Sequence, residues 1–356
     1  MSCRKFVLLP FLIEVKKLNI IEYVSYPNEP LTKYNINESD VLVLTALSYI
    51  EFPDICSGFD RVTNLGSLAR QLLVYTPVFR EEKFRDFLVA IASSTRFYNL
   101  GVCGYRNEHQ EVSDTLQFAA VTVKIADDLW FVSYSGTDGT VVGWKEDFQF
   151  AYMEQTSAQK KALEYIVEAS ENLDGNFVVS GHSKGGNLAA YASLFAEKYI
   201  QDRIIRLYCN DAPGFNEKFN IVSNDGYINM RERIHCFVPQ DSIVGRLLRT
   251  FPLKHFRVVR SEAPTVFYQH DIFNWQVNSQ GSPVILSVLD PITATFMEAV
   301  NFMIKTMSHD MRKDFTNYLF DIFQRENIKH LNLKYLGYAP AEFRKSLSEL
   351  KKLTLG

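Results

Sequence analysis

The stretch at residues 176–191 constrains the fold of this chain more than any other, because a β-rich run, a G-x-S-x-G motif and an Ala/Leu-rich segment follow one another directly. A strand, a tight turn and a helix in this order form a nucleophile elbow, which presents a serine hydroxyl beyond the edge of an α/β sheet. Gly181 and Gly185 flank Ser183, since strand and helix meet there too closely for side chains. An ordinary serine in a glycine-rich turn is the competing interpretation.

Strand-like runs on both sides of this stretch predict the rest of a sheet. Residues 116–125 and 129–134 predict a β-hairpin with a turn at Asp127-Asp128. Helix formers at residues 157–170 lead into the elbow, and three further strand-like runs follow it, at residues 204–209, 234–238 and 256–259. Strands that alternate with helices predict an α/β fold, in which helices flank a mostly parallel central sheet.

The chain divides into three parts on this interpretation. Residues 1–112 predict a mostly helical segment that packs on the core, and residues 113–283 predict the α/β core itself. Residues 284–356 predict a helical extension. Within the first part, cap-type residues precede the apolar run at residues 41–50, which favours a buried helix.

The helical extension contains an amphipathic pattern over residues 296–323, with interior breaks. Apolar side chains recur at helical spacing along one face, and they are Phe296, Val300, Met303 and Met307. Such a stripe is more often packed against its own domain, so packing is the favoured interpretation. A cap over Ser183 that binds acyl chains is the alternative.

The composition limits the class of protein. Of the 356 residues, 47% are hydrophobic, which is typical of a globular protein with a large core. The formal net charge of −3 argues against a nucleic-acid partner, since it gives no basic surface. The five cysteines show neither C-x-x-C nor Cys/His spacing, which argues against disulfides and structural zinc and favours a reducing, cytoplasmic compartment. They are Cys3, Cys56, Cys103, Cys209 and Cys236.

The sequence contains no membrane span, because no run approaches the roughly 18 apolar residues that a span requires. Contact with a membrane surface stays open. The apolar run at residues 6–13 resembles a signal peptide, but Glu-Val-Lys-Lys follows it where a cleavage site should have small residues. Nothing in the sequence indicates an oligomeric state.

A second glycine-containing turn, at residues 135–140, follows the predicted strand at residues 129–134. A tetrahedral intermediate needs two preorganised donors, one from the residue after the nucleophile and one from an earlier loop. The backbone N–H groups of Lys184 and Thr137 are the candidates. A plain glycine-rich turn is an equal alternative for this stretch alone.

The acid that would orient a catalytic histidine has two candidates, each at the end of a predicted strand. Asp241 follows the strand at residues 234–238, and Asp211 follows the strand at residues 204–209. Asp241 is favoured because the acid of this fold usually follows a later strand than the one beside the elbow. Either carboxylate could instead be a solvated loop residue or a helix cap.

Among the histidines after Asp241, His270 is the best candidate for the base, because it follows a short β-like run. His255 opens a strand, and His309 and His330 lie in the helical extension. Position alone carries little information about a histidine, so a loop histidine is the alternative for His270. His182 precedes the acid and is most simply a residue that shapes the elbow turn.

Six short runs of the sequence form a recognisable combination. They are Ser-Tyr-Ser-Gly-Thr-Asp-Gly from residue 133, Gly-Trp-Lys-Glu-Asp-Phe from residue 143, Gly-His-Ser-Lys-Gly-Gly-Asn from residue 181, Asn-Asp-Ala-Pro-Gly-Phe from residue 210, Pro-Gln-Asp-Ser-Ile-Val-Gly from residue 239 and Gln-His-Asp from residue 269. This combination resembles the bacterial Mbeg1-like family. That family is itself similar to the class 3 lipases of the α/β-hydrolase fold. The resemblance extends from about residue 18 to about residue 280. Relatives often carry Arg where this chain has Ser135.

The resemblance implies a serine hydrolase with the triad Ser183, Asp241 and His270, and with Thr137 beside the oxyanion. The implied substrate is an ester or lipid acyl group, and the implied chemistry needs neither a metal nor an organic cofactor. The alternative function comes from another class, a hydrolase fold kept as a binding or scaffold module, because fold alone does not determine function.

Overall fold

The computed structural model describes residues 16–325, except residues 77, 111–114, 139–140, 217 and 249–250. The signal-like run at residues 6–13 and the end of the predicted extension, residues 326–356, lie outside the described residues.

A nine-stranded sheet forms the centre of the described structure, in the order β11-β9-β8-β7-β6-β5-β4-β3-β2. The five strands from β5 to β9 run parallel, and the strands beyond them at both ends pair antiparallel. A two-stranded sheet joins β1 to β10. The strands are β1 Lys17–Leu18, β2 Thr63–Asn64, β3 Gly101–Gln110, β4 Leu116–Ala126, β5 Leu129–Tyr134, β6 Asn176–His182, β7 Ile204–Asn210, β8 Ile234–Pro239, β9 Phe256–Val259, β10 Val277–Asn278 and β11 Ile285–Leu286.

Helices cover both faces of this sheet, which confirms the predicted α/β fold class. Helices α1 to α4 pack with one set of alternating strand residues, including Phe131 and Val178. Helices α6 and α7 pack with the opposite set, including Val132 and Val179. The helices are α1 Ile20–Ser25, α2 Glu38–Ala46, α3 Leu65–Tyr75, α4 Glu82–Ser93, α5 Val141–Gln149, α6 Ser157–Asn172, α7 Lys184–Phe195, α8 Lys198–Arg203, α9 Asp225–Met230, α10 Val266–His270, α11 Pro291–Thr306 and α12 His309–Arg325.

The predicted hairpin is present as β4 and β5, whereas β3 was not predicted. It lies in the segment that the sequence predicted to be mostly helical, and it carries two glycines and a polar end, Arg106 to Gln110. Antiparallel pairing along β4, from Gly101 opposite Lys124 to Gln110 opposite Leu116, holds it in the sheet. Tertiary pairing thus overrides a weak strand propensity.

Helix α2 and the turn after it bring Tyr49 into contact with His182, next to the elbow serine. Asn37 caps the helix by accepting a hydrogen bond from the backbone N–H of Asp40, and every residue from Ser39 to Ala46 is buried. A 3₁₀ turn, Leu47–Tyr49, continues the helix toward the carboxyl ends of the parallel strands. The predicted buried helix at residues 41–50 is therefore present, and it begins earlier than its apolar run.

The apolar stripe of the C-terminal extension is not the face that α11 buries. Phe296 is 57% exposed and Met303 is 54% exposed, whereas Met297, outside the predicted stripe, is fully buried. The expected packing of this stripe is only partial within the described residues, since Val300 and Met307 are half-buried, and polar contacts also help hold α11. The Asn301 side chain accepts from the N–H of Leu248 at 2.9 Å and donates to the Arg246 carbonyl at 2.7 Å.

Candidate active site

Ser183 occupies a strained turn between β6 and α7. Its φ of 58° and ψ of −132° lie outside the regions that side-chain-bearing residues ordinarily adopt. A Cβ on Gly181 would lie 2.0 Å from the Gly185 carbonyl oxygen, and a Cβ on Gly185 would lie 2.1 Å from that of Tyr134. The two glycines are therefore required by close backbone approach, as the motif predicts. The Ser183 N–H donates to the Asn210 carbonyl at 2.9 Å, which ties the elbow to the end of β7.

His270 forms its carboxylate contact with Asp211. The distance from His270 Nδ1 to Asp211 Oδ2 is 2.6 Å, and the Asp211 side chain is fully buried. Asp211 directly follows β7 with a φ of 45°. Its other oxygen, Oδ1, accepts hydrogen bonds from Ser242 Oγ at 2.5 Å and from the Gly245 N–H at 3.0 Å. These donors leave the carboxylate fully partnered and aimed at the imidazole.

The predicted pairing of Asp241 with His270 is wrong. Asp241 instead binds the preceding residue, Gln269, whose Nε2 donates to Asp241 Oδ2 at 2.6 Å and whose Oε1 accepts from the Asp241 N–H at 3.2 Å. Asp211 lies closer to the elbow because β7 is the direct neighbour of β6, and its turned backbone directs the carboxylate toward the imidazole. Asp241 therefore holds the backbone beside His270 rather than its ring.

His182 and Tyr49 support the backbone of His270 from the other side. His182 Nε2 lies 2.7 Å from the His270 carbonyl oxygen, and Tyr49 Oη lies 2.7 Å from His182 Nδ1. Because a carbonyl only accepts, Nε2 carries the proton and Nδ1 accepts from the tyrosine. Burial, assisted by the nearby His270, holds the pKa of His182 well below its usual value. The centre of this neutral ring lies 4.7 Å from that of the His270 ring, and the two ring planes are tilted by 31°.

A catalytic triad also requires a hydrogen bond between the serine and the histidine, and this bond is not formed in the described structure. Ser183 Oγ forms no hydrogen bond within the part of the chain that the structure describes. Ser183 is nevertheless next to His182, which contacts His270 directly. Catalytic hydrogen bonds are often long in a free enzyme and shorten when substrate binds.

The loop that contains Thr137 and the first turn of α7 both approach Ser183, where the sequence predicts an oxyanion hole. Neither the Thr137 N–H nor the Lys184 N–H has a hydrogen-bond acceptor among the described residues. Gly136 brings the first of these close, because a Cβ there would lie only 3.1 Å from Ser183 Cβ. Lys184 supplies the first N–H of α7, where the helix dipole favours a developing negative charge.

The Asp147 carboxylate supports the Thr137 loop. Thr137 Oγ1 donates to Asp147 Oδ2 at 2.5 Å. The other Asp147 oxygen, Oδ1, is buried and has no hydrogen-bond partner among the described residues. Burial raises the pKa of Asp147 to about 7, and this effect outweighs the opposing influence of the Lys184 charge. The carboxylate therefore titrates near neutral pH.

The other candidate histidines lie elsewhere. His255 is buried against Tyr227, with His255 Nε2 3.0 Å from the tyrosine hydroxyl. His309 lies at the start of α12 beside Asp310. His330 lies outside the described residues.

The described ranges contain no group of three or more His, Cys, Asp or Glu side chains that could hold a metal ion. No helix within them is long and apolar enough to cross a membrane. The four cysteines in those ranges are buried and free, and they are Cys56, Cys103, Cys209 and Cys236.

Sequence reasoning missed several of the groups that build this site. Ser242 and Gly245 lie in the same run as Asp241, yet they serve Asp211. Asp147 ends the Trp-Lys-Glu-Asp run, which follows the glycine-containing turn at residues 135–140. A carboxylate so soon after this turn was a usable signal that it could contact the turn. Tyr49 comes from a helix 133 positions before His182, so no local pattern could connect the two.

The chain is similar to one protein family and, at low identity, to several solved lipases. A family model described as Mbeg1-like matches residues 91–321, more than half of the 356 residues. The M37 lipase structure is 13% identical, with a TM-score of 0.38, over 59% of this chain and 70% of that one. The nonglycosylated LIP2 lipase of Yarrowia lipolytica is 11% identical, with a TM-score of 0.38, over 75% of this chain and 94% of that one. A fungal lipase in complex with an inhibitor is 12% identical, with a TM-score of 0.36, over 78% of this chain and 95% of that one. No curated protein sequence matches the chain.

Proposed function

The chain belongs to the Mbeg1-like family, and from the histidine–aspartate pair beside its elbow serine we propose that it is a serine hydrolase that cleaves a carboxylic ester through an acyl-enzyme. The observation that carries this proposal is the 2.6 Å contact between His270 Nδ1 and the buried Asp211 carboxylate, next to the strained backbone of Ser183. A buried carboxylate on one imidazole nitrogen leaves the other as a base. The proposed triad is therefore Ser183, His270 and Asp211.

The proposed reaction begins with proton transfer from Ser183 Oγ to His270 Nε2 while the serine oxygen attacks the ester carbonyl carbon. Asp211 accepts the Nδ1–H of His270 throughout and stabilises the imidazolium. The histidine then gives its proton to the leaving alcohol as the ester C–O bond breaks. A water molecule, deprotonated by the same histidine, releases the acid and restores Ser183.

The oxyanion of both tetrahedral intermediates would accept from the backbone N–H groups of Thr137 and Lys184. Neither N–H has another acceptor within the described structure, so both are available to a substrate oxygen. The Thr137 side chain is held by Asp147, so its N–H is preorganised before substrate arrives. Preorganised donors of this kind lower the barrier most where water is excluded.

The substrate class rests on the resemblance of the motifs to class 3 lipases, which supports an ester with a lipid acyl chain. A series of p-nitrophenyl esters of increasing chain length, with matched thioester and amide substrates, identifies the preferred bond and chain. The proposed chemistry uses only side chains and backbone amides. The free cysteines support a reducing, cytoplasmic location.

A second function, a hydrolase fold that serves as a binding or scaffold module, is favoured by one observation. Ser183 Oγ lacks a hydrogen bond to His270 within the described structure, so the triad is incomplete in the free protein. The replacement of the family's frequent arginine by Ser135 points the same way.

A fluorophosphonate probe separates the two functions, because it reacts only with an activated serine. We expect it to label the wild-type protein and to lose its target in Ser183→Ala. Ser193→Ala is the matched control, since Ser193 is a buried serine of α7 whose hydroxyl has no partner in the described residues. Folded wild-type protein that the probe does not label would support the module.

A further inference from the structure

The Lys184 side chain is a fully buried ammonium directly behind the nucleophile. Its Nζ donates to the Gln117 carbonyl oxygen at 2.7 Å and to Glu146 Oε2 at 3.1 Å. Both members of the Lys184–Glu146 ion pair are 0% exposed. The proposed reaction uses the backbone N–H of Lys184 and gives its side chain no role.

Stability alone is a poor reason for such a pair. The desolvation of two charges commonly offsets their attraction, and apolar residues of similar volume often replace buried ion pairs without loss. Helix α7 buries apolar side chains such as Leu188 and Ala189 in the core, so its packing does not by itself require a charged side chain at position 184. The pair therefore calls for an explanation in terms of the site.

The contacts of Glu146 show what the pair connects. Glu146 Oε1 accepts from the N–H of Ala158 at 2.7 Å, and Oε2 accepts from the N–H of Gln117 at 3.2 Å. The carboxylate thus joins α5 to β4, to the start of α6 and, through Lys184, to the start of α7. The next residue of α5 is Asp147, which binds Thr137. The two proposed oxyanion donors are consequently connected: Lys184 binds Glu146, and the neighbouring residue Asp147 binds Thr137.

We propose that Lys184, acting through Glu146, is a positioning residue that holds α5 and the Thr137 loop in register with Ser183 and sets the charge environment of Asp147. The inference deepens the proposed hydrolase function and rests on it. Lys184 would in this way contribute twice, with its backbone N–H as a donor and with its side chain as the support of the other donor.

The charges around Asp147 make the inference testable. Burial raises the pKa of Asp147 to about 7, Lys184 on α7 and His270 on α10 act to lower it, and Glu146 on α5 acts to raise it. The neutral Tyr49 also lies in reach, since its own pKa responds to Asp147. Removal of Lys184 should therefore raise the pKa of Asp147, and removal of the Glu146 charge should lower it.

The experiment titrates full-length protein with ¹³C-labelled aspartate carboxyl groups by NMR, with the Asp147 signal assigned by its loss in Asp147→Asn. We expect an upward shift of the Asp147 pKa in Lys184→Met and a downward shift in Glu146→Gln. Both variants keep the backbone N–H groups. The control is Lys198→Met, which removes an exposed lysine paired to Asp202 and should leave the Asp147 signal unchanged.

Rates provide the second measurement. We expect kcat/KM on a short-chain ester to fall about 10- to 100-fold in Lys184→Met, mainly through kcat, since loss of a complete oxyanion donor costs about 100- to 1000-fold. A wild-type rate, or an Asp147 pKa that moves in neither variant or in the same direction in both, would overturn the inference. Failure of the hydrolase function shows separately, as absence of fluorophosphonate labelling in the wild type.

A double variant covers the case in which a lone buried charge prevents folding. Lys184→Met with Glu146→Gln leaves no unpaired charge, and the glutamine oxygen can still accept from the backbone N–H of Ala158. Its kcat/KM should fall at least tenfold while its unfolding temperature stays near the wild-type value. An unchanged kcat/KM in the folded double variant would contradict the positioning role.

Discussion

The loops after β7 and β8 both begin near an aspartate, but the two aspartates have different contacts. Each places an aspartate at the carboxyl edge of the sheet, and each aspartate binds one of two neighbouring residues. Asp211, after β7, binds the His270 ring, whereas Asp241, after β8, binds the Gln269 side chain. Asp211 is fully buried, and Asp241 is partly exposed. Two carboxylates one strand apart can therefore share a histidine loop while only one touches the histidine ring.

The β8 loop still serves the histidine indirectly. Its Ser242 and Gly245 donate to Asp211 Oδ1, so they hold the carboxylate that the other loop supplies. Its Asp241 fixes Gln269 and with it the backbone that precedes His270. In the proposed triad, the β7 loop therefore supplies the acid and the β8 loop supports it. Substitutions in the two loops should differ in size accordingly.

Asp211→Asn should have the largest effect. Ser242 and the Gly245 N–H hold the asparagine oxygen at the Oδ1 position, so its NH2 group faces Nδ1 and the imidazole loses the tautomer that leaves Nε2 as a base. We expect kcat on a short-chain ester to fall about 10⁴-fold, with the unfolding transition still cooperative. If Asp241→Asn instead lowered kcat by about this factor while Asp211→Asn kept a rate near wild type, the acid would be Asp241 and not Asp211.

Gly245→Ala should rank second. A Cβ at this position would lie 2.3 Å from Asp211 Oδ1 and 2.8 Å from Val238 Cγ1, so the carboxylate must move. A displacement of about 1 Å can cost about 100-fold in rate, and we expect a loss of that order in kcat. Overpacking should also destabilise the fold by about 1–3 kcal/mol, measurable by urea denaturation. A folded variant with the wild-type rate would show that the β8 loop does not constrain Asp211.

The sequence could predict the elbow and the parallel strands, because both have local signals. Flanking glycines mark the turn at Ser183, and buried β-rich runs mark strands such as β5 and β6. The choice between Asp211 and Asp241 had no local signal, since both follow strands. It depends on the backbone turn at Asp211 and on donors such as Ser242, 31 positions away. Contacts of that kind arise only when the sheet assembles.

Ser242→Ala should produce the third effect. The substitution removes the hydroxyl that donates to Asp211 Oδ1 at 2.5 Å and leaves the Gly245 N–H in place. A hydrogen bond to a charged group is worth about 1.5–3 kcal/mol, and partial compensation by water should limit the loss in kcat to about 10- to 30-fold. Ser242→Thr keeps a hydroxyl and serves as the matched control. A loss as large as that of Asp211→Asn would indicate that Ser242 does more than support the acid.

Asp241→Asn should have the smallest effect on catalysis. Asparagine Oδ1 can still accept from Gln269 Nε2, so only the charge of the acceptor is lost, which weakens a hydrogen bond that does not touch the histidine ring. We expect kcat to fall about two- to fivefold.

The route of this small effect can be tested by a double-mutant cycle, because Asp241 reaches His270 only through Gln269. In a Gln269→Met background, Asp241→Asn should change kcat by less than about twofold, since the bond it would weaken is already absent. A full effect in that background would mean that Asp241 acts on the histidine independently of Gln269. The β8 loop would then hold a second acid rather than a support for the first.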